Sequence, residues 1–372
     1  MSSSPAEVPP PAPPAVRVLP RALIVLVSLA SAIVIIAGLR GASGLVGPAF
    51  LALVLTIASY PMRRWMDRHM PSWLASLLCL LFVYLMVVVL AICMIVATAR
   101  FAHLLPQYED EFNQQIQNLA DLLDKLGVSS RELQDITDSF DWSKLTDIIT
   151  GILNGALDLV GNLVFILTLI LFMTIDGSQF PRHLTAAREA RPTLIGAMET
   201  FAHATRSYLI VSTVFGLIVA VLDTLALALI GVPAPGVWGL LAFLTNYIPN
   251  IGFVIGLVPP AILGLLEGGP GMMFAVIAVY CALNIVIQSV IQPQVVGDAV
   301  GLSTTLTFIS LVFWSWVLGP LGAVLAIPLS LLVRAILVDA DPDSRWVLPL
   351  VANSDLIAKP KKTRRRARAS AT

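Results

Sequence analysis

The strongest constraint on this chain is a succession of apolar runs, most of them near the length a helix needs to cross a membrane. They cover roughly 21–39, 44–60, 73–98, 151–175, 208–231, 237–266, 271–291 and 304–338. Crossing the hydrocarbon of a bilayer takes about 20 apolar residues. The run 44–60 is short for this, and 304–338 is long enough for a tilted span plus extra turns. What remains between the runs is too little to cover a water-facing surface. Of 372 residues, 57% are apolar and 12% charged, against about 25% charged in a soluble domain. The expected fold class is therefore all-α, a polytopic helical membrane protein with about eight transmembrane helices, one of them broken or re-entrant, and an extracytoplasmic helical segment.

Lys and Arg give the spans a direction, because they concentrate in cytoplasmic loops. Arg63, Arg64 and Arg68 follow the second run, Arg182, Arg188, Arg191 and Arg206 precede the fifth, and seven Lys and Arg residues crowd 359–368. Both termini of this multi-pass chain are thus expected in the cytoplasm. The segment 101–150 holds ten acidic residues against Lys125, Arg131 and Lys144, a net charge of −7. It cannot span, and its scarcity of Lys and Arg puts it on the extracytoplasmic side. Within it Phe112, Ile116, Leu119, Leu123 and Leu126 recur at heptad spacing. That seam either packs on the protein's own outer face or joins subunits.

Residues 1–20, with seven prolines, are expected to be disordered. The transmembrane domain is assigned to 21–338, with an amphipathic cytoplasmic segment at 176–207 that suits the lipid interface. The basic tail, 339–372, sets topology and attracts anionic membrane lipid; no nucleic acid is expected as a partner.

Polar residues in apolar runs carry the functional expectations. Asn246-Tyr-Ile-Pro249-Asn250-Ile-Gly252 interrupts a long apolar run. Broken helix at membrane depth persists only when buried in protein or lining a wet cavity, so this stretch is a candidate substrate path; the competing reading is a turn near the membrane surface. Asn284, Gln288 and Gln292 stack on one face at four-residue spacing, either lining the path or clamping a neighbouring helix. Asp223 stands alone in its run. An acid inside a membrane is costly and is a candidate for proton or cation coupling, or else it pairs with a neighbouring helix's hydroxyl or lies near the outer membrane surface. The four histidines are scattered and the three cysteines sit in apolar runs, so no metal site and no cofactor are expected. No phosphate-binding loop or hydrolytic triad motif is present, and the chain is not expected to be an enzyme.

The block 237–331 resembles the AI-2E family of transporters, also described as PerM-like permeases. The resemblance rests on Asn246-Tyr-Ile-Pro249-Asn250-Ile-Gly252, Pro259-Pro260, Asn284, Pro293, Gly297, Gly301-Leu302-Ser303, Trp314, Gly319, Gly322 and Ala326-Ile-Pro328-Leu329. It implies an eight-helix, multi-pass protein of the bacterial cytoplasmic (inner) membrane and a homo-oligomer, expected to be a pentamer. It also implies export of a small polar solute such as the quorum-sensing signal autoinducer-2, or alternatively Na⁺(Li⁺)/H⁺ antiport. From the residues alone, the many amides and single deep acid favour a neutral solute. A non-transporting scaffold that binds a partner through 101–150 is the reading from another class.

Overall fold

The computed structural model describes residues 20–104, 161–176, 187–249, 251–292 and 302–347, together with positions 150, 151, 154 and 157. The described residues form helices and no strands. The first unit contributes one helix, α1 (Arg21–Gly41). At 1.5 Å per residue its 21 residues reach about 31 Å, enough to cross the hydrocarbon. The second unit begins at Ser43 and holds α2 (Ser43–Met66), α3 (Ser72–Leu104), α4 (Leu163–Asp176), α5 (Pro192–Ile230), α6 (Pro235–Thr245) and α7 (Gly252–Asn284). After these come α8 (Thr304–Leu318), α9 (Pro320–Val324) and α10 (Ala326–Arg334). Five described helices are long and apolar enough to cross a membrane, and three shorter ones are apolar. The chain is a polytopic helical membrane protein. The Pro-rich start, the heptad-spaced 112–126 and the tail beyond 347 lie outside the described residues.

Apolar side chains face outward over much of the surface. Leu229 is 89% exposed, Val164 75% and Leu225 56%, an arrangement that suits lipid and not water. Trp65 and Trp73 stand exposed on either side of the short turn between α2 and α3. Amphipathic rings at a helix end anchor that end at the headgroups. Inside, one apolar core joins α2, α3 and α4 through Ala52, Leu55, Val83, Val87, Ile166 and Ile170. A second joins α5, α6 and α7 through Leu227, Trp238, Ala242, Leu263, Val276 and Tyr280.

Helix α2 runs past the short apolar stretch seen in sequence, through Pro61, and gains length to cross. Pro61 has no N–H to give the Ile57 carbonyl four residues back. Arg206 of α5 supplies the missing donor, with Nε 3.1 Å from Ile57 O. Its guanidinium also lies 5.3 Å from the centre of the Tyr60 ring. Arg63, largely buried, donates through Nη1 to Thr174 O near the C-terminal end of α4, where helix carbonyls lack partners and favour a cation. Two arginines read from sequence as markers of orientation therefore also join three helices.

The cytoplasmic amphipathic segment expected at 176–207 is, from Pro192 onward, the first part of α5 and not a separate element. One buried stripe continues along the helix through Ala197, Phe201, Thr205, Tyr208, Ser212, Phe215, Val219, Asp223 and Leu227. Its apolar face up to Tyr208 is buried against protein. At 39 residues, or about 58 Å, α5 outruns the hydrocarbon thickness.

The run 237–266 is neither a plain span nor a single interrupted one. It is a hairpin: α6 has only 11 residues, the chain turns from Asn246 to Pro249, and α7 returns. The 40-residue apolar stretch 252–291 is itself folded at Gly269, whose φ of 73° and ψ of −168° lie outside helical geometry. Only glycine adopts that region freely, and Pro270 excludes a helical Gly269 from the other side. Gly264 packs against Met272, Met273 and Val276, so the two limbs of α7 lie against each other. The run 304–338 likewise divides, at Gly319 and Leu325. Trp314 Nε1 donates to Ser330 Oγ at 3.0 Å, which folds α10 back on α8.

Candidate functional site

The site is built where the α6–α7 turn meets α5 and the second limb of α7. Gly216 on α5 creates the opening for it. A Cβ there would stand 2.8 Å from Asn246 Nδ2, so only glycine admits the Asn246 side chain to the α5 backbone. Asn246 Nδ2 then donates to Ser212 O at 2.8 Å. Next to it, Tyr208 donates its hydroxyl proton to Tyr247 O at 2.8 Å, and the Tyr247 and Thr213 hydroxyls share a 2.8 Å bond. Gly252 closes the turn, since a Cβ would overlap the carbonyl of Thr245. The turn also bonds itself, with Ile248 N on Thr245 O, Ile251 N on Pro249 O and Gly252 N on Ile248 O. The stretch expected to be unwound is thus a compact turn whose backbone donors are largely used internally.

Opposite the turn, the second limb of α7 passes into a π-helical stretch, Ile285–Ile291. Gln288 there donates through Nε2 to Asn246 Oδ1 at 2.9 Å and to Asn284 Oδ1 at 2.7 Å. Asn284 Nδ2 donates to Tyr280 O at 2.9 Å. Both N–H groups of Gln288 are used, while each asparagine keeps a second amide N–H. This network borders a cavity of about 290 Å³ lined by Asn246, Pro249, Asn284, Gln288 and Ser289 among others. No charged side chain lines it.

A second, much smaller cavity of about 10 Å³ adjoins it, sharing Asn246, Phe253, Asn284 and Gln288 as walls. Asp223 and Tyr280 line it. Asp223 is fully buried, and both its carboxyl oxygens lack a hydrogen-bond partner among the described residues, as does the Tyr280 hydroxyl. The bond from Asp223 to a neighbouring helix's hydroxyl, one alternative read from sequence, is not formed among the described residues. Thr224, its neighbour in sequence, instead donates to Ala220 O at 2.7 Å.

Of the residues expected on a path, Asn246, Pro249, Asn284 and Gln288 gather at one cavity, and Asp223 sits just behind it. Gly252 serves the turn and lines neither cavity. Gln292, expected to continue the amide row, lines neither cavity as well. The wider winding of the π stretch, with bonds from i to i+5, takes position 292 off the row. Asn250 lies outside the described residues. Sequence reading missed Tyr280, although it stands four residues before Asn284 and extends the same row backwards. It also missed Cys281 and Ser289 in the lining, which carried no signal distinguishing them from apolar-run filler. Among the described residues no three His, Cys, Asp or Glu side chains gather as metal ligands.

The profile described as "AI-2E family transporter" matches residues 23–340. The "AI-2 transport protein TqsA" of Escherichia coli is 29% identical over 321 residues, 84% of this chain and 91% of its own length. A Haemophilus influenzae protein named for transport, with no substrate stated, is 30% identical over 331 residues, 86% and 93% of the two chains. A third relative, from Bacillus subtilis, is 24% identical over 309 residues.

Proposed function

The chain belongs to the AI-2E transporter family, and from that premise we propose that it carries a small, neutral, polar solute such as autoinducer-2 out of the cell through the amide-lined cavity. The observation that carries this reading is the lining itself. Three carboxamides and a serine hydroxyl offer donors and acceptors together, without a charged side chain. A neutral polyhydroxylated solute needs that mixture to replace its water. At about 290 Å³ the space lies at the lower end of ligand-site sizes and suits a small molecule. The printed name of the Escherichia coli relative agrees with the choice of autoinducer-2. The distribution of arginines supports cytoplasmic termini, and the family match supports a bacterial inner-membrane setting. A homo-oligomer, of five subunits by the family resemblance, completes the proposal.

The second reading, Na⁺(Li⁺)/H⁺ antiport, draws on one observation, the buried Asp223, whose carboxyl has no hydrogen-bond partner among the described residues. Proteoliposomes separate the two. With purified protein, autoinducer-2 efflux should exceed that of empty vesicles, and Asn246→Ala or Asn284→Ala should lower it by about tenfold, equivalent to about 1.4 kcal/mol. Proton movement driven by Na⁺ or Li⁺, without autoinducer-2 flux, would instead establish the antiport reading. Unchanged autoinducer-2 efflux in both variants would make the amides structural.

A further inference from the structure

We propose that Asp223 and Tyr280 form a proton-binding site that exchanges its proton with the larger cavity across the Asn246–Gln288–Asn284 amide network. This deepens the transport reading and rests on that cavity being the solute path. Three observations converge on it. Asp223 is wholly enclosed and, among the described residues, neither carboxyl oxygen has a hydrogen-bond partner. The Tyr280 hydroxyl, buried in the same small cavity, also lacks one. That cavity, about 10 Å³, holds about one water.

These features select the occupant. An enclosed carboxylate without a counter-charge is strongly disfavoured, so something must neutralise it. A metal cation needs several oxygen ligands arranged around it. The space is too small for a cation with its own water. A proton needs no space. It turns the acceptor-only carboxylate into a group that also donates, which gives the Tyr280 oxygen or the single water something to accept. In the exchange step the carboxyl O–H bond breaks, its proton joins that water, and the hydronium passes its charge towards the larger cavity; the reverse step restores the acid.

Other charged groups do not compete for Asp223. Tyr280 is the titratable side chain facing it from α7, and α6 presents only neutral Thr245 and Asn246. On α2, Arg63 is engaged with Asp67 and the Thr174 carbonyl. On the segment 326–339, Arg334 pairs with Asp339 at 3.5 Å. Glu267 lines neither cavity.

Infrared difference spectroscopy on the purified full-length protein tests the site without any solute. Wild-type protein at neutral pH should show the C=O stretch of an isolated protonated carboxyl, and Asp223→Asn should abolish that band. Tyr280→Phe, which keeps the ring, should retain the band and shift its position. Transfer to D₂O should shift the wild-type band within the experiment. Cys281 lines the larger cavity and offers a way to block the route. In a background with Cys79 and Cys93 replaced by Ala, a bulky maleimide on Cys281 should slow that deuterium shift at least tenfold. An ionised Asp223 at neutral pH overturns the proposal, as does a band that survives Asp223→Asn. So does a deuterium shift indifferent to the label. Failure of autoinducer-2 efflux would overturn the solute reading alone, because the infrared measurement contains no solute.

Discussion

A single guanidinium shows how one side chain holds a membrane fold together. Arg206 restores the hydrogen bond that Pro61 takes away from Ile57 O. Inside a bundle there is no bulk water to replace it. Arg206→Met, which keeps most of the stem, should cost about 1–3 kcal/mol through the orphaned carbonyl, seen as a lower midpoint of thermal unfolding in detergent. Arg206→Lys should recover only part, because the ammonium cannot both donate to the carbonyl and lie flat over the Tyr60 ring. Gly216 acts by absence in the same way. Gly216→Val would push Asn246 from Ser212 O and open the Asn246–Gln288 contact. The expected outcome is loss of solute flux with near-normal membrane insertion, measured by transport assay beside quantitative blotting.

At the scale of the element, breaks matter more than spans. Gly269 folds 252–291 into two limbs by adopting a conformation that a β-carbon strains. Gly269→Ala should destabilise by about 1–3 kcal/mol and expose the limb junction. Protease accessibility near 268–271 should rise accordingly. Most of the helices were legible in sequence because length and apolarity decide them: α1, α3 and the later part of α5 fall close to the runs at 21–39, 73–98 and 208–231. What stayed illegible depends on pairing across helices. Gly268-Gly269-Pro270 marks a turn, but only the packing of Gly264 on Met272 and Met273 makes the limbs antiparallel. The segment 176–207 reads as amphipathic in isolation, and the burial of its part from Pro192 onward follows only from the continuation of α5. The amide row was legible at Asn284 and Gln288. It failed at Gln292 because nothing in Ile285–Ile291 announces π winding.

Over the whole second unit, polar chemistry is concentrated at one junction while the periphery is given to lipid. Asp223, Asn246, Asn284 and Gln288 come from α5, the end of α6, α7 and the π stretch, so no single element carries the site. Elements that each contribute one wall move the site whenever they move, which gives a transporter a means of presenting one cavity to two sides. If the proton site couples to flux, Asp223→Asn should leave a gradient-independent leak of solute but remove its acceleration by an imposed proton gradient, as read with a pH-sensitive dye inside proteoliposomes. The shortness of α6 has a further consequence, for biosynthesis. Eleven residues cover about 16 Å, roughly half the hydrocarbon. Such a segment is too short for the insertion machinery to release into lipid by itself. It must wait beside the ribosome-bound chain until the first limb of α7 has emerged and the hairpin can enter as a pair. The order of synthesis thus becomes part of how the cavity is assembled.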